Sequence, residues 1–216
     1  MKKIASPLFQ DLSEAELDTL AAAGHLRTRQ FAKHEVIFHA GSCVREIGIV
    51  LRGSVHIENL DLWGTKSILS SVGAGQAFAE TYAFCGEALM VDAVAAEHCE
   101  ILFLHTAAFT DARIEPALQD KLLRRLLAVS MRKNLSLSQR IFCTTPKTVR
   151  GRLLTYFSAQ AARSGSLQFE IPFNRQQLAD YLNLDRSALS KELCKMRDEG
   201  LLTFEKNRFA LNELPE

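Results

Sequence analysis

The sequence predicts an α+β chain in three parts. An N-terminal antiparallel β-roll is followed by one long amphipathic helix, then by a pair of short helices with a β-hairpin behind them. Three observations predict this. Between about residues 26 and 105, short apolar, β-branched runs alternate with glycines, as in Glu35-Val-Ile-Phe38, Ile47-Gly-Ile-Val-Leu51, Val55-His-Ile57, Ser67-Ile-Leu69, Ala93-Val-Ala95 and Ile101-Leu-Phe-Leu104. Closely spaced strands with turn signals argue for a compact antiparallel roll, with room inside for one small ligand. From Pro116 to about Phe142 the apolar spacing is helical. Beyond Asn174 two short apolar stripes are separated by a single turn residue, Asn183.

The elements follow in order. Ser13-x-x-Glu16 is a capping box for a helix over residues 11–24; Leu12, Leu17 and Leu20 form its apolar side and Gly24 ends it. The roll comes next. Pro116 suits the first turn of the long helix. Along that helix Leu123, Leu127, Ser130, Asn134, Leu137 and Ile141 recur with 4-3-4-3-4 spacing, the seam of a two-stranded coiled coil. The same stripe also suits packing within one chain; as a dimer seam, its polar members Ser130 and Asn134 fix register or touch a ligand. Thr145 and Pro146 are expected to cap and open a further helix running to about Arg163, which makes Ile141 to Thr145 a candidate hinge. Ser164-Gly-Ser166 reads as a turn, and Leu167 to Phe173, carrying Pro172, as a short edge strand. The expected parts are residues 1–115, 116–143 and 144–216.

In the last part, Asn174 is the N-cap of the first short helix, with Leu178 and Leu182 on one face and Ala179 small enough for a close crossing. Asn183 tolerates the left-handed backbone such a turn needs. Asp185 caps the second helix, whose buried stripe is Leu189, Leu193 and Met196. Arg186, Ser187, Ser190 and Lys191 then fall on the outer face near the helix N-terminus, the face that such a helix pair presents to the DNA major groove. Gly200 stops the helix, and Leu201 to Leu211 form a hairpin that turns near Asn207.

Charge supports a polyanionic partner for the second half. The whole chain has 216 residues and a net charge of +1. Residues 1–130 carry 12 Lys+Arg against 16 Asp+Glu, residues 131–216 carry 14 against 9, and Met131 to Phe169 contains no acidic residue. Five scattered cysteines (Cys43, Cys85, Cys99, Cys143, Cys194) form no C-x-x-C pair, which fits free thiols in a reducing cytoplasm. No apolar run is long enough for a signal peptide or a membrane-spanning helix, so a cytoplasmic protein without membrane contact is expected. No G-x-S-x-G, phosphate loop, H-E-x-x-H or seated carboxylate pair occurs, so an enzyme is not expected.

This order of parts resembles the Crp/Fnr family of bacterial transcription regulators over essentially the whole chain. The resemblance is carried by Gly53 with its flanking strands, by Gly75-x-x-Phe78-x-Glu80, and by Leu178-Ala-Asp-Tyr-Leu-Asn-Leu-Asp-Arg-Ser-Ala-Leu-Ser-Lys-Glu-Leu-x-x-Met196. It implies a jelly-roll-like double-stranded β-helix, a dimerisation helix and a winged helix-turn-helix. It also implies a homodimer on a near-palindromic promoter, an effector in the roll that reorients the DNA-binding parts, and RNA polymerase as a partner. By position, Arg186, Ser187 and Lys191 should face base edges with Ser190 beside them, while Arg175 and Gln176 should touch phosphates. Ser187 departs from the glutamate of the best-known members, and Glu192 stands where many have an apolar residue, so it is expected at the core margin.

The resemblance also bears on the effector. The family's cyclic-nucleotide cassette places a glycine and a glutamate, then an arginine about ten residues on that neutralises the cyclic phosphate. Here Glu80 is present, Ala79 replaces the glycine, and the arginine region reads Ala88-Leu-Met-Val91. No Lys or Arg occurs between Lys66 and Arg113. Cyclic AMP is therefore not expected as the effector. The family's iron–sulfur branch uses an N-terminal cysteine cluster, and the first cysteine here is Cys43. An iron–sulfur cluster is therefore not expected; a haem, an uncharged or weakly acidic apolar small molecule, or a redox signal at Cys85 or Cys99 remain as candidates. An effector pocket is expected around Phe78, Glu80, Thr81, Tyr82, Leu89 and Met90, with Ser130 and Asn134 from the long helix; no metal site is expected. A ligand-binding signalling module acting through a protein partner is the contrasting function.

Overall fold

The computed structural model describes residues 4–60 and 66–212. It separates into two compact units, Met1–Arg132 and Lys133–Glu216. In the first, helix α1 (Glu14–Ala22) starts at Ser13, whose side chain accepts from the Glu16 amide while Glu16 accepts from the Ser13 amide, so the capping box forms.

Eight strands follow: β1 (Leu26–Phe31), β2 (Val36–Phe38), β3 (Glu46–Arg52), β4 (Val55–Leu60), β5 (Lys66–Val72), β6 (Ala77–Phe78), β7 (Asp92–Ala95) and β8 (Cys99–His105). They form two four-stranded antiparallel sheets, in the orders β1-β8-β3-β6 and β2-β7-β4-β5, which is the expected roll. The central strands β3 and β8 are buried on both faces. Ile47, Ile49, Leu102 and Leu104 meet α1 and the start of the long helix, while Val50, Ile101 and Phe103 point into the roll with Phe31, Phe38, Val55, Phe78 and Leu89. The Phe78 ring lies so close over Gly48 that a Cβ there would clash with it.

Helix α2 (Glu80–Cys85) is a short element that sequence reasoning missed. Its N-cap, Ala79, has φ 61° and ψ 8°, a left-handed conformation that a Cβ resists.

Helix α3 (Pro116–Thr144) begins where expected. Leu118, Leu122 and Leu126, four residues apart, are buried with Ile114 in the core of the first unit. The opposite stripe is uncovered in the single chain: Leu123, Leu127, Leu137 and Ile141 are 46, 55, 60 and 66% exposed.

The expected start of the helix after α3 is corrected. Residues 141–144 are helical, so the proposed hinge at Ile141 to Thr145 is mostly helix. The Thr145 amide and hydroxyl both donate to the Ile141 carbonyl, closing α3 rather than opening the next helix. Helix α4 (Val149–Ser164) is capped by Thr148, which accepts from the Gly151 amide, and Pro146 lies in the connection.

Strand β9 (Gln168–Glu170), helix α5 (Arg175–Tyr181), helix α6 (Arg186–Asp198) and strands β10 (Leu202–Glu205) and β11 (Arg208–Leu211) complete the second unit. β9 does more than lead into α5: it pairs with β11, and the three strands form a sheet in the order β10-β11-β9. Leu153, Phe157, Leu178, Leu182, Leu189, Leu193, Met196 and Phe209 fill the core beneath it.

Candidate nucleic-acid interface and effector region

The helix pair is built by its caps. Asn174 accepts from the Gln177 amide, and Gln177 accepts from the Asn174 amide. Asn183 has φ 53°, as the turn requires. Asp185 Oδ1 accepts from the amides of Ser187 and Ala188, at 2.8 and 2.9 Å, and from the Ser187 hydroxyl at 2.5 Å. The Ser187 hydroxyl, and then the amides at the α6 N-terminus, hold the Asp185 carboxyl below its usual pKa. With its proton turned back to Asp185, the Ser187 hydroxyl offers its free lone pairs outward.

With Leu189, Leu193 and Met196 fully buried, the other side of α6 must face outward. Arg186, Ser187 and Lys191 are exposed and Ser190 is half-buried beside them. This face carries two cations and two hydroxyls on the first turns of a helix, the chemistry that reads guanine O6/N7 and other base edges in a major groove. Gln176 is exposed, its amide nitrogen donating to Asp180 at 2.8 Å. Arg175 lies against the wing, its guanidinium carbon 4.8 Å from the Phe204 ring centre and 5.0 Å from that of Phe209. Burial there lowers the pKa of its guanidinium.

Three arginines of the acid-free stretch hold the helix pair from behind, a role that sequence reasoning missed. Arg140 of α3 donates to the carbonyls of Asp180 and Tyr181, both at 3.0 Å. Arg152 of α4 donates to those of Leu182 and Asn183, at 3.1 and 2.8 Å. Together they cap the C-terminal end of α5, where carbonyls lack helical partners and the dipole favours a cation. Arg150 grips Glu192 of α6 and Glu199 at its C-cap. Glu192 therefore sits at the core margin as one half of an ion pair.

In the roll, Phe78 and Leu89 are buried in the aromatic core, Glu80 is buried at the start of α2, Tyr82 is half-buried and Thr81 is exposed. Met90 is 77% exposed and so stands outside that core. Ser130 is half-buried in the first unit; Asn134 belongs to the second unit and is exposed. The segment that holds Leu89 is pinned: the Leu89 amide donates to the Ser42 carbonyl, its carbonyl accepts from the Gly41 amide, and Ala88 bridges to Cys43. Of the two candidate redox thiols, Cys85 is exposed, whereas Cys99 is sealed in the core with its Sγ directed at the Ser54 carbonyl. Two histidines have structural bonds: the His25 ring meets Asp111 at 2.7 Å, and His105 Nδ1 accepts from the Ala107 amide. Among the described residues no three His, Cys, Asp or Glu side chains gather as a metal site.

A filled roll, a long helix and a capped helix pair with a three-stranded wing define an effector-domain-plus-DNA-binding-domain regulator. Comparison with known proteins agrees. Residues 28–113 match the cyclic nucleotide-binding domain, and residues 151–216 match the Crp-like helix-turn-helix domain. Among solved structures, the Catabolite Activator Protein of Thermus thermophilus is 26% identical, with 97% of this chain and 95% of that chain covered and a TM-score of 0.50. FixK2 of Bradyrhizobium japonicum (18% identity, 87% and 93% covered, TM-score 0.52) and CprK complexed with OCPA (13% identity, 94% and 91% covered, TM-score 0.66) share the fold. The search of curated proteins gave no match.

The chain belongs to the Crp/Fnr family of transcription regulators, whose members bind DNA and are not enzymes. No helix among the described residues is long and apolar enough to cross a membrane.

Proposed function

We propose that the protein is a cytoplasmic homodimeric regulator whose α6 helices read two half-sites of a promoter, with RNA polymerase as its partner there. The observation that carries this reading is the division of α6 into a buried face and an outward Arg186, Ser187 and Lys191 face at its capped N-terminus. The uncovered stripe of Leu123, Leu127, Leu137 and Ile141 on α3 supports a dimer, because a second copy buries it and supplies the two-fold symmetry that paired half-sites need. Arg175 and Gln176 are assigned to the flanking phosphates, Arg175 from its place against the wing rings.

The effector is assigned to the roll and is not cyclic AMP. No Lys or Arg lies between Lys66 and Arg113, so the cassette supplies no side-chain cation for the phosphate. Leaving that charge buried and unpaired costs on the order of several kcal/mol. The phenylalanine-filled interior and the pinned Leu89 segment favour an apolar effector that enters at the Phe78, Glu80, Thr81, Tyr82, Leu89 and Met90 corner, with Ser130 of the same unit answering to it from α3. Calorimetric titration of the full chain with cyclic AMP tests the exclusion: no saturable heat is expected, and submillimolar binding contradicts it.

A further inference from the structure

A cleft of about 480 Å³ lies within the DNA-binding unit, bounded by the end of α3, by α4 and by the chain entering α5. Its size falls in the range of small-molecule sites. Tyr156 lines it, and the rings of Phe173 and Tyr181 stand 6.3 and 5.6 Å from the Tyr156 ring and 5.0 Å from one another. Phe173 and Tyr181 are half-buried, so this aromatic corner keeps open surface. Arg163, Gln160, Ser136 and Glu170 add polar groups, and Glu170 is already held by Asn207 and Arg208. Arg163 is exposed and has no carboxylate partner among the described residues.

The second observation is an orphan. Tyr156 is 1% exposed, and its hydroxyl is a buried side-chain oxygen without a hydrogen-bond partner. Burial pushes its pKa up, so it stays a donor at every physiological pH. A buried donor left unpaired is costly in a native fold and calls for an explanation. Arg163 and Tyr156 both line the cleft, so a cation and an unpaired donor stand along it with the rings of Phe173 and Tyr181.

We propose that this cleft binds a small planar aromatic carboxylate. Its ring packs against Phe173 and Tyr181, and its carboxylate accepts from the Tyr156 hydroxyl and pairs with Arg163. The site is separate from the effector position in the roll. Its occupancy bears on DNA binding through Tyr181, which ends α5 and whose carbonyl Arg140 holds.

The test is calorimetric titration of the full chain with benzoate and with indole-3-acetate, using benzamide and indole-3-acetamide as uncharged controls. The expected result is one-to-one carboxylate binding with Kd of roughly 0.01–1 mM, weaker for each amide by about tenfold or more. Arg163→Gln and Tyr156→Phe should each weaken carboxylate binding by about tenfold or more. Tyr156→Phe should also keep or raise the thermal midpoint of the free protein, since it removes an unpaired hydroxyl, which separates lost binding from lost folding. Absence of saturable binding by either carboxylate overturns the proposal. So does binding that both variants leave unchanged, or that only one of them weakens, because both groups are assigned to one carboxylate. The readout does not involve DNA, so the promoter reading stands or falls separately.

Discussion

The Arg150 Nε of α4 donates to Glu192 Oε1 of α6 at 2.5 Å, while its two terminal nitrogens donate to both oxygens of Glu199 at 2.7 and 2.9 Å. One guanidinium thus fixes two points a helical turn or two apart on the helix that carries the candidate base-reading face. Glu199, then Glu192, raise the pKa of Arg150, and Arg150 in turn lowers that of Glu199. Arg150→Ala is expected to lower the thermal midpoint by more than Glu192→Gln does, because it leaves two carboxylates unpaired. In a double-mutant cycle, Arg150→Ala and Glu192→Ala should be clearly less than additive; strict additivity counts against a direct tie.

How much of this was legible in the sequence differs by type of signal. Local chemistry was: the Ser13–Glu16 box, the Asn174 and Asp185 caps, the Asn183 turn and the buried Leu189, Leu193 and Met196 stripe all depend on neighbours within a few residues. Partners far apart in sequence were not. Glu192 looked out of place because its partner stands 42 residues away, and the cations at Arg140, Arg150 and Arg152 looked free to face a polyanion until the fold brought carbonyls and carboxylates to them. Thr145-Pro146 carries a cap signal, but the cap falls to Thr148, because Thr145 is committed to the Ile141 carbonyl at the end of α3.

Ala79 holds a left-handed backbone where the family's cassette has glycine. Ala79→Gly should therefore stabilise the protein by about 1 kcal/mol, the relief of strain offset in part by added unfolded-chain entropy. For a chain of this size that is a rise of roughly 2–4 °C in thermal midpoint. A fall would show that the Ala79 methyl packs more usefully than its strain costs.

Acid stability should depend on Asp185 and Asp111. Ser187 and the α6 amides hold the first below its usual value; the Arg113 guanidinium and amide, with His25, hold the second there. A carboxyl with a depressed native pKa contributes stability that is full above the unfolded value and is lost as pH falls through the native one. Both contributions are thus complete at neutral pH and decline below about pH 4. Asp185→Asn and Asp111→Asn should each lower the midpoint at pH 7 and flatten its fall between pH 5 and pH 2 on a thermal-melt series, roughly the window of carboxylate titration. An unchanged acid limb contradicts the assignment.

The stripe on α3 is expected to close between two copies. Leu127→Glu or Leu137→Glu places a charge in that seam and should shift the protein from dimer to folded monomer in sedimentation equilibrium, with a matching loss of affinity for paired half-sites. A dimer that survives both substitutions would place the interface elsewhere.

Lys191 is the sharpest test of base reading. Lys191→Ala should cost roughly 1–3 kcal/mol on the preferred site and relax specificity at one position. An unchanged sequence preference in a competition assay would move Lys191 to the phosphate backbone.

The central claim is most directly tested by fluorescence-anisotropy titration of the full chain against its own upstream promoter DNA, across a salt series, with and without cyclic AMP. Sequence-specific binding that falls steeply with salt and is indifferent to cyclic AMP is expected. Binding that appears only with cyclic AMP would contradict the effector assignment, and binding that neither distinguishes sequence nor responds to salt would contradict the DNA reading.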